Sequence, residues 1–254
     1  MSDLSDPSSS RGRIVLAHGF TQTARSWSHF ERLLDHSLPG IETLAVDMPG
    51  HGAATELRGD LWASAEYLVD QGGRGTYVGY SMGGRVALHA ALAQPGRVEA
   101  LVLIGATAGL DSAPARQQRR DADELLAARI ELIGVSSFID EWLANPLFAG
   151  LGDDQALRAD RLRNTAEGLA ASLRSTGTGT QEPLWDRLTE IDIPVLVMAG
   201  ENDEKFRAIG QRLADGLPRS TFEIIHDAGH SVHLEQPTIT AQVLSDWYLD
   251  SVRN

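Results

Sequence analysis

The chain has 254 residues, of which 42% are hydrophobic and 22% are charged, as in an ordinary globular protein. Its 35 acidic residues outnumber 22 lysines and arginines, and the formal net charge of −13 argues against binding to nucleic acid or to an anionic membrane. The chain contains no cysteine, which excludes disulfides, thiolate metal sites and cysteine nucleophiles.

The sequence also lacks a predicted membrane segment. No run approaches the roughly 18 consecutive apolar residues that a spanning helix needs. Residues 1–11 are mostly polar and have no apolar signal core, so they are predicted to form a disordered tail. These features favour a cytoplasmic enzyme or binding protein.

The first part of the chain, residues 12–110, alternates short apolar runs with helix-forming segments. Continuous apolar runs are typical of strands buried on both faces of a parallel sheet, and their alternation with helices indicates βαβ units. Strands are predicted at 14–17, 43–46, 76–78 and 98–104, with helices at 26–34, 61–69 and 85–92.

Residues 111–182 break this pattern, because they contain helix-forming segments but no strand-like run. Helices are predicted there at 116–133, 136–143 and 157–173. We interpret the segment as a helical lid inserted after the strand that ends near Ile104. The α/β pattern then resumes over 183–254, with strands at 194–200 and 221–225 and helices at 206–213 and 238–249.

The sequence G-Y-S-M-G-G at residues 79–84 lies between a predicted strand and a predicted helix. This is the context of a nucleophile elbow, in which a sharp turn exposes the hydroxyl, here that of Ser81. Glycines at Gly79 and Gly83 allow the strand and helix to pass closely. The N–H of Met82 lies at the helix start, where a developing anion is favoured.

A second oxyanion donor is predicted in the loop after the first strand. His18-Gly19-Phe20 follows that strand, and α/β-hydrolases place a backbone donor at this point, here the N–H of Phe20.

The remaining members of a catalytic triad follow in the expected chain order. Asp203 comes just after a predicted strand and His230 lies in the loop after the last strand, so Ser81, Asp203 and His230 reproduce the order serine, aspartate, histidine. His230 is the predicted base, and Asp203 would fix its tautomer and stabilise the imidazolium.

The other histidines are weaker candidates. His51, between two glycines, is interpreted as structural, His233 is predicted to pack locally, and His89 is predicted to be buried or partnered in the elbow helix. Because the histidines are scattered without paired ligand spacing, no metal or cofactor is expected.

The chain resembles α/β-hydrolases throughout, which implies a mostly parallel central sheet flanked by helices. More narrowly, it resembles the family of 2-succinyl-6-hydroxy-2,4-cyclohexadiene-1-carboxylate synthases. The arginine after the elbow glycines, T-G-T-G-x-Q and D-x-K-F are the more specific motifs. The narrower resemblance lies in residues 18–21, 79–85, 142, 145–148, 175–181, 200–206 and 228–233.

This resemblance implies a lyase of menaquinone biosynthesis. Such an enzyme eliminates pyruvate from 2-succinyl-5-enolpyruvyl-6-hydroxy-3-cyclohexene-1-carboxylate to give 2-succinyl-6-hydroxy-2,4-cyclohexadiene-1-carboxylate. Ser81, activated by His230 and Asp203, would act as the base on a ring proton, without an acyl-enzyme.

The substrate carries several carboxylates, and the resemblance implies arginines and aromatic residues that bind it. Arg116 and Arg120 remain alternatives for one position, and the tryptophan is alternatively lid core. The implied substrate-binding residues are Tyr80, Arg85, Arg119, Trp142 and either Arg161 or Arg163.

One motif departs from the family, because the usual S-P-G-L reads T-A-G-L at residues 107–110. The loss of the proline predicts a looser entrance to the lid. The alternative function is a carboxylesterase or a carbon–carbon bond hydrolase of small substrates, which uses the same triad and needs no set of arginines. A binding module on this fold usually has a damaged triad, and this one is intact. The sequence leaves open whether the protein is a monomer or a homo-oligomer.

Overall fold

The computed structural model describes residues 12–152 and 155–253; the predicted tail at 1–11 lies outside the described residues. In this part of the chain, six strands form one parallel sheet in the order β2-β1-β3-β4-β5-β6. The strands are β1 Arg13–Ala17, β2 Glu42–Val46, β3 Gly75–Tyr80, β4 Val98–Ile104, β5 Val195–Gly200 and β6 Ser220–Ile225.

The central strands are buried on both faces because helices cover the sheet on each side. In register, Val78 of β3 lies between Leu16 of β1 and Val102 of β4. The helices are α1 Ser28–Ser37, α2 Leu61–Gly72, α3 Met82–Ala93, α4 Ala113–Leu143, α5 Gln155–Arg161, α6 Ala166–Thr176, α7 Glu204–Gly216, α8 Val232–Glu235 and α9 Pro237–Ser251.

Alternate residues of each strand face opposite sides of the sheet, and they build two apolar cores. Tyr77 and Leu101 pack under α2, α3 and α7, whereas Val78 and Val102 pack under α1 and α9. Because all strand pairs are parallel, the loops after β1, β3, β5 and β6 emerge at one edge of the sheet, where α/β proteins bind ligands.

The segment between β4 and β5 is helical, as the sequence predicts. Its α4 is interrupted at Gly134, whose φ of 77° is accessible to glycine at little cost, so it consists of two helices near the predicted ones. Apolar side chains of α4 and α6, including Ile130 and Leu169, form a third core that contacts Phe20 and Trp142. The boundaries of a lid at residues 111 and 182 stay a prediction.

One predicted helix is wrong. The segment 157–173 forms two helices, α5 and α6, separated by a turn at 162–165. The Thr165 hydroxyl accepts the N–H of Gly168 and begins α6, while the buried Asn164 bonds to the distant Thr21 carbonyl. The short α8 was not predicted. Of the described helices, none has the length and apolar character needed to cross a membrane.

Candidate active site

Ser81 occupies a sharp turn between β3 and α3. Its backbone has φ 51° and ψ −106°, a conformation that costs energy for a residue with a side chain and that is typical of functional sites. A Cβ atom on Gly79 would overlap the Gly83 carbonyl, and one on Gly83 would overlap the Ala17 carbonyl. The two glycines are therefore required by the close approach of strand and helix, as the elbow motif predicts.

His230 is fixed by Asp203. Its Nδ1 lies 2.8 Å from Asp203 Oδ2, and the two residues are 4% and 8% exposed. The other oxygen of Asp203 accepts the N–H of Phe206 at 3.1 Å, at the positive end of α7. The Phe206 ring packs 4.5 Å from the His230 ring. The carboxylate is thus held at two points and faces Nδ1, which leaves Nε2 as the nitrogen available for proton transfer.

Ser81 and His230 line the same cavity, which has a volume of about 150 Å³. Among the hydrogen bonds of the described residues, none joins the Ser81 hydroxyl to His230. Catalytic hydrogen bonds are often long or unformed without substrate, so the arrangement remains compatible with a base–hydroxyl pair.

The two predicted oxyanion donors also lie at this cavity. Phe20 and Met82 both line it. Met82 is the first residue of α3, where an N–H has no acceptor within the helix. Among the described residues, no backbone acceptor takes the N–H of Phe20. Both groups therefore remain available to an anion.

Arg85 brings a buried positive charge to the cavity. The residue is 7% exposed, and no described residue accepts from its buried Nη1. Burial, reinforced by Arg119 and opposed by Asp123, lowers the pKa of Arg85 to about 10. A desolvated donor without a partner is unfavourable, so an anionic ligand would restore the missing interaction.

Arg161 and Arg119 add two more guanidinium groups to the same lining. Arg161 is 1% exposed; its Nη1 donates to Thr21 Oγ1 and to the Phe20 carbonyl, while no described residue pairs with its Nε or Nη2. Burial lowers the pKa of Arg161. Arg119 is oriented by its Nε, which donates to Asp123 Oδ1 at 2.8 Å.

The structure places the alternative arginines differently with respect to the cavity. Arg163 is exposed and is not among the residues that line the cavity, because it lies in the turn beyond the end of α5. Arg116 donates to the Leu110 and Asp111 carbonyls, and Arg120 donates to the Gly179 carbonyl. Of Arg116, Arg119 and Arg120, only Arg119 is among the described residues that line the cavity, and its role in substrate binding stays a prediction.

Tyr80 and Trp142 both reach the cavity. The Tyr80 hydroxyl lies 2.6 Å from Ser231 Oγ, and burial raises its pKa. The Trp142 ring packs edge-on against Phe20 at 5.3 Å and belongs to the apolar core of the helical segment. Trp142 therefore packs in the apolar core of the helical segment and also lines the cavity.

Sequence reasoning assigned no role to Lys205 or Asp123. Lys205 is exposed, lines the cavity and places its Nζ 5.4 Å from the centre of the Phe206 ring. Asp123 is buried and bonded to Arg119. The features of the sequence that could have indicated these two residues are the D-x-K-F motif, which contains Lys205, and the spacing of four residues between Arg119 and Asp123.

Two other histidines, His51 and His233, are buried and held by local contacts. His51 is buried; its Nε2 accepts the N–H of Thr21 at 3.4 Å, and burial lowers its pKa to about 3. His233 packs 4.3 Å from Trp27 and 4.5 Å from Tyr80, and burial likewise lowers its pKa to about 3. Among the described residues, no group of three or more acidic, histidine or cysteine side chains is arranged to hold a metal ion.

The segment 107–110, where the proline is absent, is bonded to the chain that precedes β5. The Ala108 carbonyl accepts the N–H of Leu184 at 2.7 Å, and the Gly109 carbonyl accepts Trp185 Nε1 at 3.0 Å. Gln181 Nε2 donates to the Thr107 carbonyl at 3.3 Å. These bonds restrain the entrance that the sequence predicted to be loose.

A parallel sheet with a strained serine, an Asp–His pair and free backbone donors at one edge defines a protein of the α/β-hydrolase class. Residues 14–243 match the family described as the Alpha/beta hydrolase family, and the chain belongs to that family.

Similar proteins confirm the narrower resemblance. A Bacillus subtilis (strain 168) protein with the provisional name 2-succinyl-6-hydroxy-2,4-cyclohexadiene-1-carboxylate synthase is 39% identical, over 92% of this chain and 89% of its own. The protein of that name from Klebsiella pneumoniae subsp. pneumoniae is 33% identical, over 91% and 92%. The structure of MenH from S. aureus superposes with a TM-score of 0.88 at 28% identity, over 96% and 95% of the two chains.

Proposed function

We propose that the protein is a carbon–oxygen lyase that eliminates pyruvate from 2-succinyl-5-enolpyruvyl-6-hydroxy-3-cyclohexene-1-carboxylate. The product is 2-succinyl-6-hydroxy-2,4-cyclohexadiene-1-carboxylate, an intermediate of menaquinone biosynthesis. The single observation that carries the proposal is the pair of buried guanidinium groups, Arg85 and Arg161, that have unpaired N–H donors beside Ser81. The names of the relatives support the same reaction.

The reaction needs a base, an acid and a site for developing negative charge. His230 Nε2 takes the proton of the Ser81 hydroxyl, and the resulting alkoxide removes a ring proton from the substrate. The electron pair of the C2–H bond forms a double bond between C2 and C3, the π pair of the existing C3–C4 double bond moves to C4–C5, and the C5–O bond to the enolpyruvyl group breaks. The imidazolium, stabilised by Asp203, returns a proton to the departing group, which tautomerises to pyruvate.

The oxyanion donors have a different task from the one they have in an esterase. No tetrahedral intermediate forms, so the N–H groups of Phe20 and Met82 would stabilise the charge that grows on the substrate carbonyl or carboxylate as the ring proton leaves. Both residues line the cavity, and among the described residues no backbone acceptor takes the N–H of Phe20, which makes this task possible.

The three cavity arginines favour this reaction over the hydrolase alternative. A small neutral ester offers no group to pair with Arg85 or Arg161, so the cost of burying those charges would bring no gain in binding. A substrate with several carboxylates supplies charge-assisted, bidentate partners. The helical segment 111–182, which contributes Arg119 and Arg161, is proposed to act as a lid that closes this site over the substrate. The cytoplasmic location stays a prediction.

The test is an ultraviolet assay that follows loss of the enolpyruvyl group and formation of the cyclohexadiene, with pyruvate measured by a coupled reaction. The purified protein is expected to release one pyruvate for each diene formed, and Ser81→Ala should abolish both signals while remaining folded. If the wild-type protein forms neither product but hydrolyses 4-nitrophenyl acetate and butyrate rapidly, the esterase alternative replaces the lyase.

A further inference from the structure

The end of α5 and the turn that follows it are bonded to the loop after β1, about 140 residues away in sequence. The Asp160 carboxylate accepts the N–H of Thr23 at 3.0 Å and also its hydroxyl. Asn164 Nδ2 donates to the Thr21 carbonyl at 2.7 Å. Together with the bonds from Arg161 to Thr21 Oγ1 and to the Phe20 carbonyl, these contacts hold one short stretch of loop.

That stretch has a conformation that needs support. Thr21 has φ 69°, which is unfavourable for a β-branched residue and persists only where the surroundings impose it. Its N–H donates to His51 Nε2 at 3.4 Å, and its carbonyl accepts from Asn164. The peptide groups on both sides of Thr21 are therefore fixed, one by the core and the other by the turn after α5.

The same loop orients the oxyanion donor. The Gly19 carbonyl accepts His18 Nδ1 at 2.8 Å and the N–H of Gln22 at 3.2 Å, so it points back into the loop. In a planar trans peptide the C=O and N–H groups point in opposite directions, and the N–H of Phe20 therefore points away from the two donors that the Gly19 carbonyl accepts. Its direction depends on the Gly19–Thr21 backbone keeping its shape.

Asn164 is the residue that joins these parts. It is 6% exposed; its Nδ2 also donates to the Arg161 carbonyl at 3.0 Å, and its Oδ1 accepts the N–H of Gly52 at 3.0 Å. One side chain thus connects the loop after β1 that carries the Phe20 N–H (residues 18–23, the oxyanion loop), the backbone of the cavity residue Arg161 and the loop after β2.

We propose that Asn164 is a positioning residue for the elimination: it holds the Thr21 carbonyl and thereby the Phe20 N–H in the orientation that stabilises the developing anion. This inference rests on the proposed function. It also means that the lid and the oxyanion site form one unit, so that displacement of the turn after α5 disorders the donor.

The informative variant is Asn164→Asp, which has the same shape and keeps the acceptor for Gly52 but lacks both N–H donors. Asn164→Ser removes the same two bonds without adding a charge and serves if the first variant fails to fold. The matched control is Thr165→Ala in the same turn. Its hydroxyl caps α6 and contacts Thr55, and no described contact joins it to the loop after β1.

Removal of an oxyanion donor typically lowers kcat by about 100- to 1,000-fold, so a misdirected donor should lower kcat by at least about 10-fold. We expect that loss for Asn164→Asp and Asn164→Ser, with KM changed less than about threefold, because the donor acts mainly in the transition state. Thr165→Ala should lower Tm without this loss of kcat. A fall in Tm with unchanged kcat in the Asn164 variants, or a rise in KM alone, would overturn the proposal.

A second readout does not depend on the reaction. Hydrogen exchange measured by mass spectrometry on the peptide covering residues 18–23 should become about tenfold faster in the Asn164 variants, because the amides of Thr21, Gln22 and Thr23 lose their support. Thr165→Ala should leave that peptide unchanged. Unchanged exchange in the Asn164 variants contradicts the positioning role even if the enzyme proves to be an esterase, whereas failure of pyruvate release alone contradicts only the proposed function.

Discussion

Asp203 contacts His230 with one carboxylate oxygen, at 2.8 Å, and begins helix α7 with the other, at 3.1 Å from the Phe206 N–H. One side chain therefore serves both the fold and the proposed proton transfer. Because both oxygens are engaged, the carboxylate cannot rotate away from the imidazole, and the tautomer with a proton on Nδ1 is favoured.

This double role predicts that Asp203→Asn separates the two tasks. An asparagine oxygen can still accept the Phe206 N–H, but its amide would face Nδ1 and favour the wrong tautomer, so kcat for pyruvate release should fall by about 10⁴-fold. Urea unfolding should show little change. Asp203→Ala should lose the helix cap as well, with a further loss of about 1 kcal/mol in unfolding free energy. Equal stability of the two variants would contradict the capping role.

The buried charge of Arg85 is predicted to lower the stability of the folded protein while it provides a partner for an anionic substrate. Its pKa of about 10 lies below the ordinary value of 12.5, so Arg85 stays charged at pH 7, but its charged form is less favourable in the folded protein than in the unfolded chain. Arg85→Met should therefore raise the unfolding free energy at pH 7 by up to about 3 kcal/mol. Arg163→Met, at an exposed position, is the control and should change it by less than about 0.5 kcal/mol. A loss of stability in Arg85→Met would show that the guanidinium is satisfied in solution.

The same arginine should discriminate between substrates. Arg85→Ala is expected to lower kcat/KM for the carboxylate-rich enolpyruvyl substrate by about 2–4 kcal/mol of transition-state binding. Hydrolysis of 4-nitrophenyl acetate, if the enzyme catalyses it, should barely change, because that ester has no carboxylate to bind. Equal losses on both substrates would mean that Arg85 supports the elbow helix rather than the ligand.

Substitutions at Arg161 and at Arg163 provide a test variant inside the cavity and a matched control outside it. Arg161→Ala removes a buried cation and its bonds to the oxyanion loop, and kcat/KM should fall by at least about 100-fold, as when one partner of a buried charge pair is removed. Arg163→Ala should stay within about twofold of the wild type, since surface substitutions are usually small in effect. Steady-state kinetics on the two variants measures this, and a comparable loss in Arg163→Ala would place it in the site after all.

Because His233 is buried as a neutral ring, the stability of the folded protein is expected to depend on pH. Burial lowers its pKa from 6.5 to about 3, so the unfolded chain binds a proton that the folded protein does not. The stabilisation is complete above pH 6.5 and is lost as pH falls, by about 2 kcal/mol between pH 7 and 5. No described residue pairs with its ring nitrogens, so His233→Phe should fold and show that much less loss over the same range. An unchanged pH profile would mean that His233 is not buried as a neutral ring.

Much of the fold and of the site geometry could be predicted because it depends on local patterns. The strand at 98–104 was predicted with its observed bounds, because the run is short and mostly apolar, as in a buried strand. The break between α5 and α6 was missed although Thr165 is a local helix-capping residue, and the role of Asn164 depends on the distant Thr21. Partners so far away in sequence leave no periodic signal.

The choice between neighbouring arginines was left open for a related reason. Arg161 and Arg163 are two residues apart, and a helix of the length predicted from the sequence gives no reason to prefer one. The observed end of α5 at Arg161 directs the first into the cavity and leaves the second exposed. Lys205 was quoted within a motif but given no role, because the position of the cavity mouth depends on how α7 packs against the sheet.

The most direct test compares two rates on one preparation of the wild-type protein: kcat/KM for pyruvate release from the enolpyruvyl substrate and kcat/KM for hydrolysis of 4-nitrophenyl butyrate. Buried, unpaired guanidinium groups around Ser81 predict that elimination exceeds ester hydrolysis by at least about 1,000-fold, the discrimination expected from about 4 kcal/mol of charge pairing. Ester hydrolysis equal to or faster than elimination would contradict the account.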